Sequence, residues 1–229
     1  MTHRAPLRIP ATVAGIALVL VVGGGLLLRD SAFDLPLVEA LNTLHRGVFA
    51  AIGDGVYRGV GPVPAIAATV ILTGVIFAVR RDLATASTFA VTVAVTWLPA
   101  ALIKVFVGRP RPDADALMHA PATQPDASYP SGHIVFATAL VIAAVLVTRS
   151  VALRRVWILA GSAGTVLVAF CVVSDGLHFP TDAAASLIWA AGIAPFVGTF
   201  WRRIVVPRFK IFRQRQSNAM GPGSADRSR

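Results

Sequence analysis

Residues 104–133 read KVFVGRPRPDADALMHAPATQPDASYPSGH and separate two long apolar segments of the chain. Three cations lie near the start of this stretch, and a serine and a histidine lie at its end: Lys104, Arg109, Arg111, Ser131 and His133. Cations, a hydroxyl and an imidazole beside apolar segments are typical of an anion-binding site at a membrane surface. The rest of the chain must therefore supply the membrane-spanning segments and the partners of these polar groups.

The composition is that of a membrane protein. Of the 229 residues, 55% are hydrophobic and only 14% are charged, whereas soluble domains carry about 25% charged residues. The net charge of +10 would also suit a nucleic-acid-binding protein. However, the basic residues lie between apolar segments and in the C-terminal tail, which a membrane topology explains better. The single cysteine, Cys171, excludes an intrachain disulfide.

Six apolar segments are long enough, or nearly so, to cross a bilayer as helices. They are residues 11–28, 62–79, 83–107, 134–149, 156–173 and 183–201. The first segment resembles a signal peptide, but no small-x-small cleavage site precedes Asp30, so we expect a retained anchor. The pattern therefore predicts an all-α, polytopic membrane helical bundle of about six transmembrane helices.

Residues 34–58 predict one further helix of a different kind. Apolar residues recur there at helical spacing, with polar residues between them: Leu37, Leu41, Leu44, Val48 and Ile52. Such a pattern is typical of an amphipathic helix that lies at the membrane interface or packs on the bundle. We expect residues 1–205 to form one domain. We expect the basic tail, residues 206–229, to be partly disordered, with binding to anionic head groups as the alternative.

The distribution of charge predicts the orientation in the membrane. An even number of spans places both termini on one side, and cations dominate the N-terminal segment and the 2–3 and 4–5 loops: Arg4, Arg8, Arg80, Arg81, Arg149, Arg154 and Arg155. Both termini are therefore expected in the cytoplasm. Residues 104–133 and the segment SDGLHFPTD at residues 174–182 then face away from the cytoplasm together.

The residue types on that face suit phosphoryl chemistry. Ser131 and Gly132 fit the start of a helix, where backbone N–H groups and the helix dipole bind phosphate. His178 and Asp182 are spaced so that a carboxylate can orient the imidazole and raise its nucleophilicity. Each feature alone has a structural explanation, such as snorkelling for Lys104. Together they favour an active site for phosphoryl transfer.

Three motifs resemble the signature of the type 2 phosphatidic acid phosphatase superfamily. They are Lys104 followed after six residues by Arg111 and Pro112, then PSGH at 130–133, then HFPTD at 178–182. Members include integral-membrane lipid phosphatases, and soluble vanadium haloperoxidases share their phosphate pocket. The spans exclude a soluble haloperoxidase here. The third motif departs from the family at Cys171 and Val172, where the family has serine and a phosphate-binding arginine.

The resemblance implies a role for each matched residue. His178 would be the nucleophile that forms a phosphohistidine, Asp182 would orient it, and His133 would be the general acid and then the base. The phosphate oxygens would be bound by Lys104, Arg111, Ser131 and Gly132, with Arg109 as the candidate to replace the missing arginine. No metal or other cofactor is expected. If Arg109 does not replace the arginine, the substrate geometry differs or the chain is a weak or inactive relative.

The expected function is hydrolysis of a lipid phosphate or pyrophosphate, such as a polyprenyl pyrophosphate or phosphatidic acid, at the extracytoplasmic face of a plasma membrane. The many Ala, Arg and Val residues favour a bacterial membrane. The alternatives are a phospho-head-group transferase and a non-catalytic lipid-phosphate binder. A transporter is less favoured, because the polar residues cluster at one face. The expected partners are the lipid substrate and the bilayer, not nucleic acid, and the sequence predicts no oligomeric state.

Overall fold

The computed structural model describes residues 7–121 and 124–212, and this part of the chain is helical, without a β-strand. The helices are α1 (Arg8–Leu28), α2 (Leu35–Asn42), α3 (Gly47–Gly59), α4 (Pro62–Arg80), α5 (Leu83–Val107), α6 (Gly132–Val147), α7 (Val151–Ser174) and α8 (Pro180–Phe200). A 3-10 turn covers Ala114–Ala116, and α8 continues into a π-helical turn, Trp201–Val205, and a 3-10 turn, Val206–Arg208.

The six expected spans correspond to α1, α4, α5, α6, α7 and α8. Five of these are long and apolar enough to cross a membrane, whereas α6 is a shorter apolar helix. With 16 residues, α6 is about 24 Å long. It packs against α5, α7 and α8 and so lies in the middle of the bundle. The prediction of an all-α, multi-pass membrane bundle is confirmed.

The predicted helix over residues 34–58 is divided into two, α2 and α3. The chain turns at residues 43–46, and Gly47 begins α3 with a φ of +54°, a left-handed conformation that glycine adopts at little cost. The expected apolar stripe faces outward, since Leu37 is 52% and Val48 is 73% exposed. Val38, by contrast, is buried. The two helices therefore pack on the bundle through Val38 and the partly buried Leu41, Val56 and Tyr57, and leave the rest of the apolar stripe exposed.

Local sequence signals fix the ends of the helices that carry the site. Asp82 caps α5 by accepting the Ala84 N–H at 3.0 Å. At the other end of α5, Gly108 has a φ of +64°, and its N–H donates to the Lys104 carbonyl. In α8, Pro180 occupies the first turn, where its missing N–H costs nothing. These ends direct the chain after α5 and before α8 toward the same region.

The two loops that carry the site lie at one end of the bundle. Helix α1 runs beside α8, and at the site end Asp34, which follows α1, accepts a hydrogen bond from the Thr181 N–H. At the other end, the Trp201 indole donates to the Ser87 hydroxyl. Residues 108–121, 124–131 and 175–179 therefore meet on one face. Most of the predicted tail, residues 206–229, lies outside the described residues.

Candidate active site

A cavity of about 530 Å³ opens at the end of the bundle where these two loops meet. Its polar wall includes Lys104, Arg111, Asp126, His133 and His178. Its apolar wall comes from α4 and α5 and includes Ile66, Trp97, Leu98 and Ala101. The cavity thus joins a charged end to an apolar side.

His178 lies in the loop between α7 and α8, and its side chain is almost completely buried. Its Nδ1 is 3.5 Å from Asp182 Oδ2, longer than the 2.7–3.2 Å of an ordinary hydrogen bond. Burial lowers the pKa of His178, and the nearby Asp182 carboxylate opposes that effect only in part. The imidazole is therefore neutral near pH 7, the form that can act as a nucleophile.

Asp182 is fully buried at the start of α8. Its Oδ2 accepts the Phe179 N–H at 2.9 Å, and its Oδ1 accepts from Arg109 Nη1 at 2.7 Å. A buried carboxylate is tolerated only when it is paired in this way. The capping interaction and the guanidinium together hold the carboxylate beside the His178 ring.

Arg109 does not reach the cavity. Its side chain is completely buried behind Asp182, and its guanidinium lies 3.9 Å from the centre of the Phe179 ring. Its remaining hydrogen bonds go to Thr181 Oγ1 at 2.7 Å, the Ser31 carbonyl at 2.8 Å and Asp34 Oδ1 at 3.1 Å. Because both terminal nitrogens are occupied there, this geometry does not fit the expectation that Arg109 replaces the missing phosphate-binding arginine.

Lys104 and Arg111 reach the cavity and share one acid. Lys104 Nζ lies 2.5 Å from Asp126 Oδ2, and Arg111 Nη2 lies 2.6 Å from Asp126 Oδ1. Arg111 also donates through Nη1 to the Leu177 carbonyl at 2.6 Å, which ties it to the residue before His178. Burial alone would raise the pKa of Asp126, but its bonds to the two cations lower it to about 2.

The start of α6 supplies the third part of the site. Ser131 occupies the predicted N-cap position, but its side chain makes no capping bond. The Ser131 N–H donates to Ser186 Oγ at 2.8 Å, and the buried Ser131 Oγ has no partner among the described residues. Gly132 lines the cavity, and a Cβ there would meet only Trp97 Nε1, at an ordinary 3.8 Å. The Gly132 backbone is therefore open to a ligand.

His133 also lines the cavity and stacks on Tyr57 of α3, with ring centroids 4.3 Å apart and an interplanar angle of 25°. His133 Nε2 is buried and has no hydrogen-bond partner in residues 7–121 and 124–212. Burial raises the pKa of Tyr57, so this stacking partner stays neutral. An imidazole nitrogen without a protein partner beside His178 is placed to exchange a proton with a bound ligand.

The position of the missing arginine is filled by apolar packing. Val172 is fully buried in a cluster that includes Val38, Leu117 and Ile134, and it is not among the residues that line the cavity. Position 172 is therefore part of the core here and not of the cavity wall.

The structure thus brings five of the predicted residues to one cavity: Lys104, Arg111, Gly132, His133 and His178. Asp182 and Ser131 are buried next to members of this set, and Arg109 lies behind Asp182. Sequence reasoning missed Asp126, Tyr57 and Asp34. Asp126 shares its loop with Asp113 and Asp115, and the sequence spacing does not indicate which of the three acids pairs with the cations. Within the described residues, no three His, Cys, Asp or Glu side chains are grouped as a metal site would need.

The chain is similar to known proteins both in sequence and in structure. Residues 83–205 match the PAP2 superfamily in sequence. The crystal structure of a transmembrane PAP2 type phosphatidylglycerolphosphate phosphatase from Bacillus subtilis superposes with a TM-score of 0.69, covering 85% of this chain and 96% of that chain. At 19% sequence identity, this likeness establishes the shared fold. No curated protein sequence matches significantly.

Proposed function

The chain belongs to the PAP2 superfamily, and we propose that it is a membrane phosphatase that hydrolyses a lipid phosphate or pyrophosphate without a metal ion. Membership of the family supports phosphatase activity in general. The observation that carries the proposal is that residues from three separated motifs line one cavity, with two imidazoles and two cations. Asp182 lies directly behind one of those imidazoles.

The proposed reaction has two steps. Since Nδ1 of His178 faces Asp182, the other ring nitrogen, Nε2, attacks phosphorus. The bond from phosphorus to the lipid oxygen breaks, and His133 gives its proton to that oxygen. His133 then takes a proton from water, which attacks the phosphohistidine, breaks the P–N bond and releases phosphate. Asp182 stabilises the positive charge that develops on His178.

Three groups are placed to bind the phosphate during these steps. Lys104 and Arg111 supply positive charge, and Gly132 begins α6, whose first backbone N–H groups and dipole favour an anion. We propose that Ser131 contributes its unpartnered hydroxyl. With Arg109 bound behind Asp182, Lys104 and Arg111 are the cations left for the transition state, and losing one such donor typically slows a reaction by roughly a hundred- to a thousandfold.

The apolar wall of the cavity supports a lipid substrate. Ile66 on α4 is 55% exposed and Leu98 on α5 is 62% exposed, and both also line the cavity. The cavity therefore continues to the membrane-facing surface between α4 and α5. A lipid tail can stay in the bilayer while its phosphate reaches Lys104 and Arg111. The charge distribution favours the extracytoplasmic face as the side of this reaction.

The test is phosphate release by the detergent-purified protein in EDTA, with polyprenyl and glycerolipid phosphates and diphosphates as substrates. We expect release by the parent protein and at least a thousandfold loss in His178→Ala, because the attacking nitrogen is removed. His119→Ala is the control, since His119 is a half-buried histidine that does not line the cavity.

Rapid quenching with a radiolabelled substrate should trap an acid-labile phosphoprotein in the parent protein and none in His178→Ala. Full activity of His178→Ala would exclude it as the nucleophile. If the protein bound lipid phosphates but hydrolysed none of the substrates, the result would favour a non-catalytic lipid-phosphate binder, the alternative suggested by Val172 in place of the family's arginine.

A further inference from the structure

The carboxylate of Asp126 lies at the charged end of the cavity, between the two cations. It is 2.5 Å from Lys104 Nζ and 2.6 Å from Arg111 Nη2. Among the described residues that line the cavity, Asp126 is the only acid. It therefore neutralises one of the two positive charges that the proposed phosphate site offers.

Asp126 is bonded to both of the cations that a phosphate ligand would need. Arg111 Nη1 is bonded to the Leu177 carbonyl and Arg111 Nε to the Asp126 carbonyl, so that Nη2 is the nitrogen directed at the Asp126 side chain. Asp126 is also the acceptor of the Lys104 ammonium. A phosphate oxygen and the Asp126 carboxylate would therefore compete for the same two groups.

The Asp126 side chain is accessible to water. It is 50% exposed, unlike the carboxylates of Asp34 and Asp182, which are 7% and 0% exposed. A rotation of this side chain toward water would free both cations, while Arg111 would keep its bond to the Leu177 carbonyl. The released carboxylate would be hydrated and screened by salt.

We propose that Asp126 is an internal competitor, a carboxylate that holds Lys104 and Arg111 until a phosphate ligand displaces it, and that it thereby sets the affinity a ligand needs to occupy the site. The proposal rests on the proposed function only in treating the cavity as a phosphate site. Displacement weakens the binding of every anion by a common factor. A weakly held phosphodiester head group, with one negative charge, then leaves the site empty. A phosphomonoester, with about −1.5 to −2 charges at pH 7, or a diphosphate gains enough from two cations to enter.

A minimum affinity for occupancy would be useful at a membrane surface, where most anionic groups are not substrates. Phosphodiester head groups surround the cavity mouth at high local concentration, and two uncompensated cations would bind them. The resident carboxylate keeps that background out and also competes with released inorganic phosphate.

The test measures binding in a His178→Ala protein, which the proposed mechanism makes unable to turn over. The ligands are dodecyl phosphate, a monoester, and methyl dodecyl phosphate, a diester, titrated calorimetrically at pH 7.5 in detergent. We expect Asp126→Asn to tighten both by the same factor, about tenfold. Asp126→Glu, which keeps a carboxylate, should restore weaker binding. Asp115→Asn, an exposed acid in the same loop, is the control for overall charge and should change neither affinity.

Three results would overturn the proposal. Unchanged or weaker binding of both ligands by Asp126→Asn would mean that the carboxylate supports the site and does not compete for it. If the carboxylate stayed beside the bound phosphate, it would repel the doubly charged monoester about twice as strongly as the singly charged diester. In that case Asp126→Asn would increase the affinity for the monoester by about the square of the factor for the diester. A gain in Asp115→Asn equal to that in Asp126→Asn would reduce the effect to overall charge. Because no turnover is measured, these results do not depend on whether the parent protein releases phosphate.

Discussion

Arg109 and Arg111 are separated by one residue and lie in different environments. Arg111 is partly exposed in the cavity, whereas Arg109 is completely buried against two carboxylates. Arg109 is directed inward to Asp34 and Asp182, whereas Arg111 is directed to Asp126 and the Leu177 carbonyl. One arginine is therefore available to a substrate, and the other supports the carboxylate behind the proposed nucleophile.

Replacing Arg109 should therefore lower the stability of the folded protein more than it weakens substrate binding. Arg109→Met leaves the buried Asp182 with the Phe179 N–H and the more distant His178 Nδ1 as partners, and breaking a buried pair in this way costs about 3–5 kcal/mol. We expect a large fall in the melting temperature in detergent. Arg111→Met, at a partly exposed position, is the matched control: it should keep a melting temperature close to that of the parent protein and slow the reaction by roughly a hundred- to a thousandfold. An unchanged melting temperature with a raised KM for Arg109→Met would instead indicate that Arg109 contacts the substrate.

The element that carries His178 is the loop of residues 174–179, which is held by α2. Asn42 is fully buried, and its Nδ2 donates to the Ser174 carbonyl at 2.9 Å and to the His119 carbonyl at 3.0 Å. Its Oδ1 accepts the His119 N–H at 2.8 Å. One amide side chain thus joins α2, the loop of residues 108–131 and the loop that carries the proposed nucleophile.

Removing this connection should slow the reaction more than it weakens binding. Asn42→Ala loses three hydrogen bonds worth about 1 kcal/mol each and leaves backbone groups unsatisfied. We expect a lower melting temperature, faster amide hydrogen exchange at residues 174–178, and a fall in kcat with little change in KM. Thr43→Ala, at the exposed end of the same helix, is the control. If Asn42→Ala keeps its kcat while exchange at residues 174–178 increases, the loop does not need this tether for catalysis.

The elements differ in how well the sequence predicts them. The long apolar segments identify the spanning helices, because a helix in lipid must be apolar over about 20 residues. The spacing of residues 34–58 also predicts helix correctly. It does not predict the turn at residues 43–46, which depends on the positive φ of Gly47 and on Asn42 reaching across to Ser174. The hydrogen bond between Asn42 and Ser174 joins residues more than 100 positions apart, so a local sequence pattern does not predict it.

At the scale of the whole molecule, the order of the three motifs is enough to predict which residues meet, because alternating spans return the chain to the same face. It is not enough to predict the partners of each charge. Arg109 and Asp126 each have several possible partners in the sequence. Which partner each one binds depends on how deeply its side chain is buried, and the spacing of the motifs does not indicate this. The sequence therefore predicts the cavity residues better than the ion pairs around them.

The orientation of the whole bundle is the remaining prediction from charge. Met118, in the loop of residues 108–131, is 71% exposed at the site end, and Arg149, between α6 and α7, is exposed at the other end. The chain has one cysteine, Cys171, and it is buried, so the parent protein should not react with a membrane-impermeant thiol reagent. Met118→Cys should react on intact cells, since the positive-inside rule places that loop outside. Arg149→Cys should react only after permeabilisation, and the reverse pattern would place the site in the cytoplasm.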